Sequence, residues 1–153
     1  MKTLLLIAHA PSDNTRRMAQ AVLRGAETQD AAGVRVLQRA PLDAGPQDVL
    51  DADAVILLTT ENLGYMSGAL KDFFDRSYYP LLERTHGRPY ALCVRAGHDG
   101  TGTCRAVQSI MKGLKWRAIA EPLVCRGDWQ DSFLQDCEGL GALFAASLDA
   151  GLF

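Results

Sequence analysis

Between the apolar run Thr3 to Ala8 and a helical pattern starting at Arg16 stands the loop His9-Ala10-Pro11-Ser12-Asp13-Asn14-Thr15. Unpaired backbone N–H groups at a helix N-terminus, with the positive end of the helix dipole, make a ready anion site. The hydroxyls of Ser12 and Thr15 and the amide of Asn14 would add donors to it. A phosphate monoester suits this cradle. The same residue types also serve as ordinary helix caps, so the loop alone admits both readings. It has neither the G-x-x-x-x-G-K-[ST] pattern of a triphosphate loop nor the G-x-G-x-x-G of a dinucleotide turn.

A second polar loop, Arg95-Ala96-Gly97-His98-Asp99-Gly100-Thr101-Gly102-Thr103-Cys104, carries three glycines and leads into a helix. Glycine lets backbone approach a flat ring. Cys93, Cys104, Cys125 and Cys137 lie far apart without a C-x-x-C pair, and His9, His86 and His98 show no metal-ligand spacing to one another or to the cysteines. The cysteines read as reduced cytosolic thiols, and no metal site is expected. No Ser/His/Asp or Cys/His arrangement falls at one strand end, so no protein nucleophile is expected.

The elements that must hold these loops follow from periodicity. Thr3 to Ala8, Ala54 to Thr59 and Tyr90 to Val94 are apolar runs too short for helices and read as buried parallel strands. Val34 to Leu37, after Gly33, and Ala118 to Val124 are weaker candidates; Pro122 interrupts the latter and favours an edge or a bulge. Ala19, Val22, Leu23 and Ala26 repeat at helical spacing, as do Leu70, Phe73, Phe74 and Ser77. The second connection, Ala40 to Asp53, has room only for a short helix over about 47–51. A last helix from about Asp131 to Leu148 places Phe133, Cys137, Leu140, Phe144 and Leu148 on one stripe, with Asp131 or Ser132 as its cap. Strands alternating with helices predict a three-layer α/β domain with a five-stranded parallel sheet, and ligands in such sheets bind beyond the carboxyl ends of the strands.

The chain has 153 residues, 48% of them hydrophobic, which fits one domain spanning 1–153. The formal charge of -2 comes from interspersed residues, with no basic run to track a nucleic acid, so none is expected as partner. Met1 to Ala10 imitates a secretory signal, but its apolar core is shorter than the roughly 7 to 15 residues such a region needs, and a membrane span needs about 20. A buried first strand explains it better, and a cytoplasmic protein without a membrane span is expected. Trp116 and Trp129 are read as core residues before stacking platforms, and Tyr78 and Tyr79 as packing at the end of the third helix.

The stretch Thr59-Thr60-Glu61-Asn62-Leu63-Gly64-Tyr65-Met66-Ser67-Gly68-Ala69-Leu70-Lys71-Asp72-Phe73-Phe74-Asp75-Arg76 makes a resemblance specific. Together with Ser12-x-Asn14-Thr15 and the glycine loop, it resembles the flavodoxin-like family of NAD(P)H-dependent FMN reductases and quinone reductases, over roughly Met1 to Trp129. The resemblance implies a flavodoxin-like sheet of strand order 2-1-3-4-5 and FMN as cofactor. Ser12, Asn14 and Thr15 would bind the phosphate. Thr60, Glu61, Asn62, Leu63, Gly64 and Tyr65 would wall the flavin, and Ala96, Gly97, His98 and Gly102 would line its other rim. Backbone N–H groups of the glycine loop would meet O2 and N1 of the ring, where negative charge builds on reduction. His98 reads either as a proton source near N1 or as an exposed loop histidine.

Against the family pattern, Ala10 and Pro11 stand where a hydroxyl residue and a glycine are common, Asp13 where glycine is, and Thr60, Asn62 and Leu63 where Pro and two aromatics are frequent. The implied partners are a nicotinamide donor and a quinone, flavin or similar acceptor, and related reductases often assemble as homo-oligomers. Two other readings are a flavodoxin-type electron carrier and an interaction module that kept the fold without flavin. A carrier usually presents an acidic docking face, for which 16 basic against 18 acidic residues leave little excess.

Overall fold

The computed structural model describes the backbone of residues 1–153 and every side chain except that of Gln29. Six strands and five α-helices follow one another as β1 (Lys2–Ala8), α1 (Asp13–Ala26), β2 (Val34–Arg39), α2 (Pro46–Leu50), β3 (Ala54–Thr60), α3 (Gly68–Leu81), β4 (Pro89–Ala96), α4 (Thr101–Leu114), β5 (Arg117–Ala118), β6 (Leu123–Arg126) and α5 (Ser132–Asp149). All strand pairs are parallel in the order β2-β1-β3-β4, and β5 and β6 both lie along the outer edge of β4.

The expected fifth strand over 118–124 is therefore two short pieces. Ala118 pairs with Tyr90 and Leu123 with Cys93, so five steps on the edge face three on β4, and Pro122 sits in the surplus. A proline without an N–H can be absorbed only at such an edge.

Alternation along β1 sends Leu4, Leu6 and Ala8 to the face shared with Met18, Val22 and Phe144, and Leu5 and Ile7 to the face shared with Leu70, Phe73 and Leu114. Helices α1 and α5 cover the first face; α2, α3 and α4 cover the second. Both faces being covered, β3 is apolar at every position from Ala54 to Leu58 and each of these is buried. Trp116 is buried as expected, its indole N–H donating to Thr85 Oγ1 at 2.8 Å.

Three details correct the sequence reading. Tyr79 does not pack at the end of α3; it is 79% exposed. Asp131 stands at the N-cap of α5, but its carboxylate accepts from Trp129 Nε1 at 3.1 Å rather than from the helix. Cys93, Cys125 and Cys137, distant in sequence, are gathered in the core between β4, β6 and α5. Among the described residues no helix is long and apolar enough to cross a membrane.

Candidate functional site

The carboxyl ends of β1, β3 and β4 bring the three loops to one rim of the sheet. At the first, Ser12 is the N-cap of α1 and forms a capping box with Thr15: Thr15 N donates to Ser12 Oγ at 3.2 Å, Ser12 N donates to Thr15 Oγ1 at 3.0 Å, and the two hydroxyls are 2.8 Å apart. The cap therefore uses Thr15 N–H and both hydroxyls. The backbone N–H groups of Asp13 and Asn14 have no acceptor among the described residues, and they point out of the first turn as the geometry of a helix start requires. Asp13 turns aside to pair with Arg16, and Asn14 Oδ1 accepts from Arg17 at 3.2 Å, which leaves the Asn14 NH₂ group as a donor. Beside this loop a cleft of about 320 Å³ is lined by His9, Pro11, Pro41, Leu42, Asp43 and Ala69. Partial burial there pushes the His9 imidazole below its ordinary value.

The second loop is fixed at both ends. Thr59 Oγ1 accepts from Ser67 N at 3.0 Å and Ser67 Oγ caps α3 through Leu70 N at 3.1 Å, both buried, so the end of β3 and the start of α3 are tied across the loop. Between them Asn62 and Tyr65 exchange two backbone hydrogen bonds of 2.8 and 2.9 Å around Leu63 and Gly64, which have φ of 52° and 76°. Positive φ at both central residues marks the I′ class of hairpin turn, which favours Asn-Gly and strains leucine. Leu63 stands fully exposed at its tip and Tyr65 is 41% exposed beside it.

The third loop is bound to the second. Glu61 accepts from His98 N through one carboxylate oxygen and from Gly100 N through the other, each at 2.8 Å. Thr103 Oγ1 donates to Tyr65 O at 2.9 Å, and a Cβ on Gly102 would collide with the Gly64 carbonyl, so only glycine lets the loops meet. Thr101 N–H holds the Asp99 carboxyl below the usual range. Around Gly64 and Gly97 the space is open, with nothing within 4 Å of a Cβ placed on either.

No family model matches the chain. A flavodoxin from Aquifex aeolicus is 30% identical over 111 residues, which make up 72% of this chain and 59% of that protein, so the match spans less than two thirds of the relative's length. A flavodoxin from the domain Archaea superposes with a TM-score of 0.76 at 21% identity, covering 97% of this chain and 99% of the other. A WrbA-like flavodoxin from Agrobacterium tumefaciens does so with 0.74 at 16% identity, covering 99% of each. This chain has the flavodoxin-like fold.

In that flavodoxin-like frame Ser12, Asn14 and Thr15, the stretch Thr60 to Tyr65, and Ala96, Gly97, His98 and Gly102 all lie at one end of the sheet, beyond the strand ends they follow. Their hydrogen bonds differ from expectation at one point. The N–H groups of His98 and Gly100 are not free for a ring; Glu61 takes both, because a carboxylate is a better acceptor than any neutral group in reach. Glu61 thus clamps the second and third loops together. Trp129 is partly buried against the core, with the Arg17 and Arg95 guanidinium groups 5.6 and 5.8 Å from its ring centroid and Phe133 packed edge-on. Sequence reasoning missed Thr59, Ser67 and Thr103 as positioning residues, since hydroxyls in a strand end and a helix start carry no periodic signal.

Proposed function

We propose that this chain is an FMN-binding flavoprotein, an oxidoreductase passing electrons from NAD(P)H by way of FMN to a quinone, flavin or similar acceptor. The observation that carries the reading is the first turn of α1, where the unpaired N–H groups of Asp13 and Asn14 open at the same rim as the paired second and third loops. In a doubly wound sheet that rim, between strands whose connections leave to opposite faces, is where ligands lie.

The residues present fit a flavin monophosphate. Asp13 N, Asn14 N and the Asn14 NH₂ group would hold the phosphate, aided by the dipole of a 14-residue helix. Pro11 contributes no donor, and the Asp13 carboxylate, paired with Arg16, is turned from the anion. The uncrowded backbone at Gly64 and Gly97 would let a flat ring approach, and the half-exposed Tyr65 would be available to pack on it. Bound FMN supplies hydride acceptance and electron transfer. The three strand-end loops would supply its binding and orientation.

The second reading, an electron carrier without turnover, is favoured by the 30% identity to a flavodoxin. Both are tested by the visible spectrum of the purified protein with FMN, then with NADH or NADPH and a quinone. Retention of FMN and its reduction by a nicotinamide support the oxidoreductase. Reduction by dithionite alone supports the carrier, and failure to retain flavin at micromolar concentration overturns both. Asn14→Ala lies outside the capping box and is expected to weaken FMN about tenfold or more while sparing riboflavin. Equal losses for the two ligands would remove the phosphate from this loop.

A further inference from the structure

Cys93 is at the middle of β4, Cys125 in β6 and Cys137 in the first half of α5, and they are 0%, 1% and 0% exposed. Cys125 pairs in register with Arg95, two residues beyond Cys93, so both thiols emerge on the same face of the sheet, under α5. Cys93 and Cys137 sulfurs are 3.9 Å apart, and all three sulfurs lie within 4.8 Å of one another. A disulfide would require about 2.05 Å. Three sulfurs bonded at about 2.3 Å to one central ion lie about 4 Å from each other, which the Cys93–Cys137 pair matches at 3.9 Å and to which Cys125, within 4.8 Å of both, has to move by less than about 1 Å. Among the described residues no fourth His, Cys, Asp or Glu joins the group, and the same apolar cluster holds Phe133 and Leu140, so solvent does not supply a ligand.

We propose that Cys93, Cys125 and Cys137 form a three-coordinate thiolate site for a soft monovalent metal ion, with copper(I) its biological occupant. Thiolate softness selects such an ion, whereas zinc in a closed site takes four ligands that this pocket lacks. On binding, three metal–sulfur bonds form, three S–H bonds break and the protons pass to solvent, with no change in oxidation state. The Arg95 guanidinium, donating to Ala96 O at 2.9 Å and Cys125 O at 3.1 Å, lies near enough to offset part of the negative charge left on the sulfurs. Entry requires local opening at β6, a four-residue edge strand paired on one side only. The site is independent of the flavin proposal.

The test is anaerobic titration of the reduced chain with copper(I) acetonitrile against a chromophoric copper(I) chelator. One equivalent is expected to be held, with three sulfur neighbours in X-ray absorption. Cys104→Ser is expected to leave the affinity unchanged, and Cys93→Ala, Cys125→Ala and Cys137→Ala each to lower it more than about a hundredfold, beyond the losses seen for supporting residues. Should those variants fail to fold, slow alkylation of the folded wild type, with and without copper(I), reads the same claim: bound copper retards labelling of Cys93, Cys125 and Cys137 through local opening and leaves that of Cys104 unchanged. Loss of the metal to the chelator, equal protection of Cys104, tighter binding of zinc(II), or a Cys93–Cys137 disulfide forming on exposure to air in preference to metal binding would each overturn it.

Discussion

On the face covered by α1 and α5 the helices meet backbone to backbone, whereas on the opposite face α3 and α4 are held apart by side chains. A Cβ on Gly25 would collide with the Glu138 carbonyl, and one on Gly141 with the Val22 carbonyl. Between α3 and α4 a cavity of about 230 Å³ opens among Phe74, Tyr78 and Ile110. The first face fixes the start of α1, and with it the proposed phosphate end. The second leaves α3 and α4 freer, so their leading loops are locked by polar bridges of their own, Glu61 and Thr103. An anion cradle needs a rigid dipole. A ring pocket needs walls that can adjust, and here two loops serve as one body.

The largest effect should come from breaking the close helix crossing. Gly141→Ala drives α1 and α5 apart, and after the gain in helix propensity a net loss of about 2 kcal/mol is expected, a fall in Tm of about 4 to 8 °C. Gly139→Ala, two residues earlier on the exposed side with nothing within 4 Å, should instead raise stability by up to about 1 kcal/mol. If both variants shift Tm the same way, the contrast between the faces is wrong.

Next in size is the clamp. Glu61→Gln removes the charge and can accept from only one of His98 N and Gly100 N through its single carbonyl oxygen. Amide hydrogen exchange at those two residues is expected to quicken about tenfold, while global stability changes by about 1 kcal/mol or less. A fall in Tm as large as that of Gly141→Ala would show that the second face depends on its loops for folding, not only for the site.

The layout of the fold was legible because each element has a strong period: the apolar run of β3, the stripe of α1, the proline that splits the edge into β5 and β6. The glycine loop and the polar start of α1 were legible as well, since their residue types announce backbone conformation. What could not be read was pairing across loops. Glu61 stands 37 residues before His98, and nothing in either stretch says that a carboxylate will close on those amides. The same holds for Cys93, Cys125 and Cys137, whose meeting depends on strand register and on which face α5 covers.

A smaller effect is expected at the tip of the second loop, where Leu63 holds a positive φ in full solvent exposure. Leu63→Asn restores the residue pair such a turn favours and should stabilise by about 0.5 kcal/mol in chemical denaturation. If the exposed leucine serves docking of an apolar acceptor, the same variant should slow electron transfer to a quinone while leaving FMN affinity unchanged. A variant that is both more stable and equally fast would leave the strain at Leu63 without a role.

The smallest expected effect belongs to His9, beside the cradle. Burial lowers its pKa in the folded protein below the ordinary value of 6.5, so above that pH both folded and unfolded chains carry neutral imidazole and the group contributes nothing. As pH falls through 6.5 the unfolded chain takes up the proton first, and stability declines until the folded imidazole is protonated as well. The loss is modest because the ring keeps contact with solvent. Urea denaturation at pH 7.5 and pH 5.5 should therefore show a larger drop for the wild type than for His9→Gln. A phosphate held at the first turn of α1 favours the imidazolium, so saturating FMN should shrink that difference. An FMN-independent difference would separate His9 from the phosphate and leave it answering only to its own cleft.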